Sequence, residues 1–182
     1  PRPSNYRSVL AFLRDHPDAF RKALNLVTPR VLSLYLAAYQ SLLWNRLAGR
    51  LIREGTVAEG SIEIAGEPLP VYRRLPGELL ARWRARKVAL IHHRLAQDPE
   101  WAPRYAPLLE EEGLSWSELK PRLLRRAYLG AGERPLLAFP KDAVVLNREP
   151  DKRFPGRECL VVRFTLAPGT YATLLLRLLE PA

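Results

Sequence analysis

Between Thr28 and Arg53 apolar residues recur at steps of three and four. Leu32, Tyr35, Leu36, Tyr39, Leu43 and Leu47 form one stripe, and Val31, Leu34, Ala38 and Leu42 widen it on the adjacent face. This is the helical period. Thr28 offers an N-cap hydroxyl, Pro29 suits the first helical position, and Gly55 is a fitting C-terminal stop. A long helix is therefore expected to about Arg53, buried over much of its circumference. Ahead of it, Ser4 is expected to cap a helix to about Arg14. Asp15-His16-Pro17 interrupts, and a second turn is expected from Asp18 to Leu24.

The period then changes. Ser61-Ile62-Glu63-Ile64 alternates with a period of two, and Gly66, Pro68, Pro70 and Pro76 punctuate the next dozen or so residues. A short strand, a turn and a second short strand at Val71-Tyr72 are expected. A basic helix is expected from about Gly77 to Ala96, with Leu79, Leu80, Trp83, Leu90, Ile91 and Leu95 on its buried side. Asp98 to Pro107 reads as a proline-rich loop carrying Trp101 and Tyr105. Ser115-x-x-Glu118 fits a capping box that opens a helix broken at Pro121.

In the last fifty residues strands are expected at Arg134 to Phe139 and Ala143 to Leu146. A further one is expected where Leu160, Val162, Phe164 and Leu166 alternate with Val161, Arg163 and Thr165. Ala167-Pro168-Gly169 turns the chain, and Thr170 is expected to cap a helix from Tyr171 to Leu179. The fold class is α+β, a mostly helical part followed by strands and a helix.

With 182 residues, 47% hydrophobic and 26% charged, the chain has the composition of a globular protein with a real core. No stretch reaches the roughly 18 apolar residues of a membrane span. The best candidate, Val31 to Leu43, is interrupted by Ser33, Gln40 and Ser41. No signal peptide opens the chain, so a soluble, cytoplasmic protein with no membrane partner is expected. The absence of methionine leads to the expectation that Pro1 is not the genetic N-terminus.

Charge changes the picture most. The 29 basic residues outweigh 19 acidic ones for a net +10, and only five of the 29 are lysine. Arginine's planar fork binds phosphate through paired bonds and stacks on bases, so the excess points to a polyanionic partner, with genome bias or a thermophilic habit as the alternative origin of the composition. The arginines concentrate between Arg73 and Arg94, where Arg82, Arg84, Arg86 and Lys87 lie. A second cluster holds Lys120, Arg122, Arg125 and Arg126.

Recognisable chemistry is sparse. Neither GxxxxGK[ST] nor GxGxxG occurs, nor H-E-x-x-H, nor a G-x-S-x-G elbow. His92 and His93, adjacent on an expected helix, would point about 100° apart and serve no common metal. Cys159, the single cysteine, is expected to be a small packing residue. Glu110-Glu111-Glu112 reads as a solvated helix end rather than a metal site.

Three separated stretches carry a family resemblance. Tyr35-Leu36-x-x-Tyr39-Gln40-Ser41-x-Leu43-Trp44-Asn45 is similar to the Y-x-x-A-Y-Q-S-x-L-[WF]-N helix of the tRNA pseudouridine synthase D (TruD) family. Gly132-Glu133-Arg134-Pro135-Leu136 resembles its R-P-L strand entry. Phe164-Thr165-Leu166-Ala167-Pro168-Gly169-Thr170-Tyr171-Ala172-Thr173-Leu174-Leu175-Leu176-Arg177 resembles its C-terminal F-x-L-P-P-G-S-Y-A-T-x-L-L-R-E. Ala167, Thr170 and Leu178 depart from the pattern at a proline, a serine and a glutamate. The family's G-x-K-D motif, with its nucleophilic aspartate, has no counterpart in this sequence.

The resemblance implies the C-terminal part of an enzyme that isomerises a uridine in tRNA, uridine 13 of the D-arm in the bacterial case, to pseudouridine without cofactor or metal. It implies a largely helical, family-specific insertion over residues 1–133. The last strands and helix of a mixed catalytic sheet would then lie in 134–182. The partner of that segment would be the N-terminal part of the same catalytic domain, leaving Leu160, Val162 and Phe164 partly exposed in this chain alone. Tyr171 would pack on the extruded uracil, supported by Phe164, Pro168, Gly169, Thr170, Ala172, Thr173 and Arg177. Arg82, Arg86 and Arg126 would be candidates for tRNA backbone contact. A non-catalytic module that holds structured RNA and a helical protein-interaction domain are the alternatives.

Overall fold

The computed structural model describes residues 5–55, 60–64, 66–71, 75–122, 124 and 127–179. The protein is α+β and divides into two compact units: Pro1–Arg74 with Lys87–Arg134, and Leu75–Arg86 with Pro135–Ala182. Ser4, Tyr72, Arg73, Arg74, Arg125 and Arg126 lie outside the described residues.

The first unit is built on α3 (Pro29–Gly55), preceded by α1 (Asn5–Asp15) and α2 (Phe20–Leu24). Helix α3 begins at Pro29 as expected, with the Thr28 carbonyl accepting from the Val31 and Leu32 amides. Its burial differs from the expectation. Only the C-terminal half is enclosed, through Gln40, Leu43, Trp44, Leu47, Ala48, Gly49 and Ile52, whereas Leu34 is 66% exposed. The apolar stripe runs the length of the helix, but packing partners meet it over only half.

Strands β1 (Gly60–Ile64) and β2 (Glu67–Val71) form an antiparallel hairpin in which Ile62 faces Leu69. Gly66, at a φ of +81°, lies in its turn, in a conformation glycine adopts without a Cβ penalty. The second strand is earlier and longer than the sequence suggests. It packs on α3, and Gly49 permits the approach: a Cβ there would lie 3.3 Å from Pro70 Cδ.

The expected basic helix to Ala96 is not formed. Helix α4 (Gly77–Arg84) stops after two turns, and the chain enters β3 (Lys87–Ala89) and then a 3-10 turn at His93–Gln97. Val88 and Ile91 are fully buried. The carbonyls of Val88, Ala89 and Ile91 accept tertiary hydrogen bonds from the side chains of Trp44, Tyr105 and Gln40. Such bonds compete with a helical ladder for the same acceptors, and strand pairing with β4 (Glu133–Pro135) takes the segment out of the helix.

Conversely, the expected loop from Asp98 to Pro107 is mostly helix, α5 (Ala102–Glu111). Asp98 Oδ1 accepts from the Glu100 and Trp101 amides at 2.9 Å each, capping the turn that leads in. Pro103 stands in the first helical turn, where its missing N–H has no intrahelical role. Pro107 does forgo a bond, and burial of Tyr105, Leu108 and Leu109 offsets that loss. After Ser115 the chain makes turns instead of the expected broken helix, although Glu118 Oε2 does accept from the Ser115 amide at 2.8 Å.

In the second unit a long antiparallel hairpin joins β5 (Lys141–Pro150) and β6 (Glu158–Thr165), followed by α6 (Ala172–Leu179). A register shift between Lys141 and Val144 accompanies Asp142, whose φ is +52°. Every residue of β5 is exposed, and Leu160 of β6 is 53% exposed, while Val162 and Phe164 are half-buried. Cys159 is exposed, not the small packing residue expected from the sequence.

Candidate functional site

Two polar-tipped side chains of the YxxxYQSxLWN stretch in α3, Gln40 and Trp44, act within the first unit. Gln40, 5% exposed, donates through Nε2 to the carbonyls of Ile91 and Gly130, both at 2.7 Å. Trp44 Nε1 donates to the Val88 carbonyl at 3.0 Å. From α5, the Tyr105 hydroxyl donates to the Ala89 carbonyl at 2.7 Å, and burial holds that phenol protonated far above its ordinary range. The guanidinium of Arg134 lies 5.9 Å from the Trp44 ring centroid. A buried amide and two buried aromatics with polar tips thus fix one segment, residues 88–91, at the end of β3 and just beyond it, by satisfying its carbonyls. The signal was present in the sequence: Gln40 is a polar residue inside an apolar stripe.

A second constellation was missed. Glu112, expected to be part of a solvated helix end, accepts from the Tyr39 hydroxyl at 2.7 Å and pairs with Arg46, which also pairs with Glu67. The Tyr39 hydrogen bond and the Arg46 guanidinium hold the Glu112 carboxyl below the usual carboxylate range. Arg50 binds both oxygens of Glu111 at 2.6 Å, and Arg53 donates to the Pro68 carbonyl at 2.6 Å. Arg46, Arg50, Arg53, Glu67, Glu111 and Glu112 line a cleft of about 330 Å³. Its arginines already have carboxylate or carbonyl partners, so it offers a polyanion little free positive charge.

His92 and His93 lie off any α-helix, with rings 6.3 Å apart in an edge-on arrangement. Burial, then the neighbouring His93 and Arg94, push the His92 imidazole down. Among the described residues no three His, Cys, Asp or Glu side chains gather as a metal site, and no helix is long and apolar enough to cross a membrane.

The residues singled out from the C-terminal motif all lie in the second unit. Gly169, at a φ of +82°, makes the turn after β6, and Tyr171 stands 43% exposed one residue before α6. Thr170 does not cap that helix by its hydroxyl as expected. Its Oγ1 donates to the Ala167 carbonyl at 2.7 Å, because the tight Pro168-Gly169 turn brings that acceptor nearest. Pro168, Ala172, Thr173 and Arg177 are exposed, and Phe164 is half-buried. Arg82 is exposed on α4, and Arg86 is half-buried after it, its carbonyl accepting from the Leu136 amide at 2.9 Å. Arg84 lies 4.6 Å from the Phe139 ring centroid. Arg126 falls outside the described residues.

Fold and site together define an arginine-rich α+β protein with a tyrosine presented at a strand–turn–helix junction. The family profile of tRNA pseudouridine synthase D (TruD) matches residues 2–67. A Geobacter sulfurreducens tRNA pseudouridine synthase D is 31% identical over 178 residues, which cover 94% of this chain and 41% of that protein. A Methanocaldococcus jannaschii protein designated tRNA pseudouridine synthase D 2 is 28% identical over 180 residues, with the same two shares. A solved Methanosarcina mazei structure carrying the TruD designation superposes with a TM-score of 0.63 at 18% identity, over 95% of this chain and 43% of that one. The chain is thus similar to TruD-family proteins over nearly its whole length, and it spans about two fifths of the length of these relatives.

Proposed function

We propose that this chain is the C-terminal part of a tRNA pseudouridine synthase that isomerises a uridine, uridine 13 of the D-arm by family resemblance. Residues 1–133 are then the largely helical insertion and 134–182 the closing segment of the catalytic domain. The nucleophilic aspartate comes from the N-terminal part of that domain, so this chain alone is inactive. The observation that carries the reading is Tyr171, half-exposed between a Pro-Gly turn and the first turn of α6, inside the APGTYATLLLR stretch.

The chemistry needs such a group. The target base must leave its stack at a cost of a few kcal/mol, and packing on an aromatic ring returns about 1–3 kcal/mol of that. A carboxylate nucleophile then divides glycosidic exchange into two easier steps through a covalent intermediate. The uncovered apolar residues of β5 and β6 suit strands that pair within a larger sheet, since an isolated two-stranded ribbon is marginal in water. A cytoplasmic protein with tRNA as partner fits this reading.

The test uses the protein encoded by the complete reading frame around this chain, assayed for pseudouridine in tRNA. Tyr171→Ala should cut turnover at least tenfold with the circular dichroism spectrum unchanged. Wild-type turnover in that variant removes the role of Tyr171. A wild-type protein that binds tRNA but forms no pseudouridine replaces the enzyme reading with a structured-RNA-binding module.

A further inference from the structure

The tip of the β5–β6 hairpin combines features that the proposed isomerisation does not use. Residues 151–157, Asp151-Lys152-Arg153-Phe154-Pro155-Gly156-Arg157, hold three cations against one carboxylate. That carboxylate is occupied within the loop. Asp151 Oδ1 accepts from the Arg153 amide at 2.7 Å and the Phe154 amide at 3.1 Å. The Asp151 amide donates to the Arg157 carbonyl at 2.8 Å, the Arg157 amide donates to the Phe154 carbonyl at 3.1 Å, and Gly156 turns at a φ of +82°. The loop is held by hydrogen bonds within itself, from its backbone and the Asp151 side chain.

Its side chains remain available. Lys152 and Arg153 are exposed, and among the described residues neither has an ion-pair partner. The contrast with the shaft is direct: Arg148 there is paired with Glu158, Nε to Oε2 at 2.7 Å. Phe154 is 58% exposed, with the Arg157 guanidinium 5.7 Å from its ring centroid. A solvated hairpin tip has no need of an exposed phenylalanine, and a loop built for an acidic peptide has no need of a stacking face.

We propose that this tip is an RNA-binding element: an unpaired base stacks on the Phe154–Arg157 platform while Lys152 and Arg153 contact the flanking phosphates. The partner class rests on the RNA reading above, and the site is independent of Tyr171 chemistry. An aromatic ring backed by a guanidinium accepts any base, because every base has a π-face. Free cations beside it add affinity that falls with salt. A loop already held in shape loses little entropy on binding.

The experiment measures equilibrium binding of the full 182-residue chain to an unmodified tRNA transcript, a blunt RNA duplex and polyglutamate, over a series of salt concentrations. Phe154→Ala should weaken tRNA binding about fivefold or more, and Phe154→Trp should restore it. Lys152→Ala with Arg153→Ala should lower the slope of log affinity against log salt by about one to two. A fluorophore on Cys159, the single cysteine, which lies beside the tip on β6, should respond to tRNA more than to duplex. Unchanged affinity and slope in these variants overturn the inference while leaving the enzyme reading intact. Absence of pseudouridine from the complete protein, with the tip variants still impaired, removes that reading and leaves the inference standing. Wild type that binds no tRNA overturns it, as do tip variants that lose polyglutamate as strongly as tRNA.

Discussion

Gln40 provides the most direct test of how the first unit holds together. Replacing it by methionine keeps the chain length and most of the volume but removes the amide that donates to Ile91 and Gly130 at 2.7 Å. Each buried carbonyl that loses its donor costs about 1–3 kcal/mol, so the pair should cost about 2–4 kcal/mol after partial relaxation. Urea unfolding followed by tryptophan fluorescence is suited to this, since Trp44 and Trp101 are buried in the same unit. With a slope of about 2 kcal/mol per molar urea, the midpoint should fall by about 1–2 M with the slope unchanged. A fall below about 0.3 M would show that these carbonyls find other donors, and that Gln40 does not fix the 88–91 segment.

Two further substitutions probe the same unit. Glu112→Gln should remove part of the acid-side pH dependence of stability. The Glu112 carboxyl titrates below its unfolded value of 4.5, so its contribution is present above that pH and is lost as the pH falls through the folded value. Wild type and variant should therefore converge toward acid in a pH series of urea midpoints, and parallel curves would contradict the ion-pair account. Gly49→Val places a branched side chain where even a Cβ meets Pro70 Cδ at 3.3 Å, and should destabilise by about 1–3 kcal/mol in thermal unfolding. No loss would mean that β2 moves off α3 freely.

The sequence by itself determined the elements whose signals are local. Helix α3 starts where Thr28 and Pro29 place it, since capping and proline geometry act within one turn. Strand β6 lies where strict alternation put it, and the Pro168-Gly169 turn precedes α6 as expected. The family motifs were legible for the same reason: they are contiguous runs of side chains.

Tertiary structure decided the rest. Residues 87–91 have helix-compatible composition, yet their carbonyls are taken by Gln40, Trp44 and Tyr105, residues up to 51 positions away in sequence, and no local propensity encodes that competition. Residues 98–107 look like a proline-rich loop, yet Asp98 caps the lead-in and burial of Tyr105, Leu108 and Leu109 holds a helix over residues 102–111. Glu112 reads as a surface charge until folding brings Tyr39 and Arg46 to it. The period of a pattern shows which face of an element is apolar, but only the partners that reach that face decide whether it is covered. For this reason half of α3 is enclosed while β5, equally apolar in part, stands open.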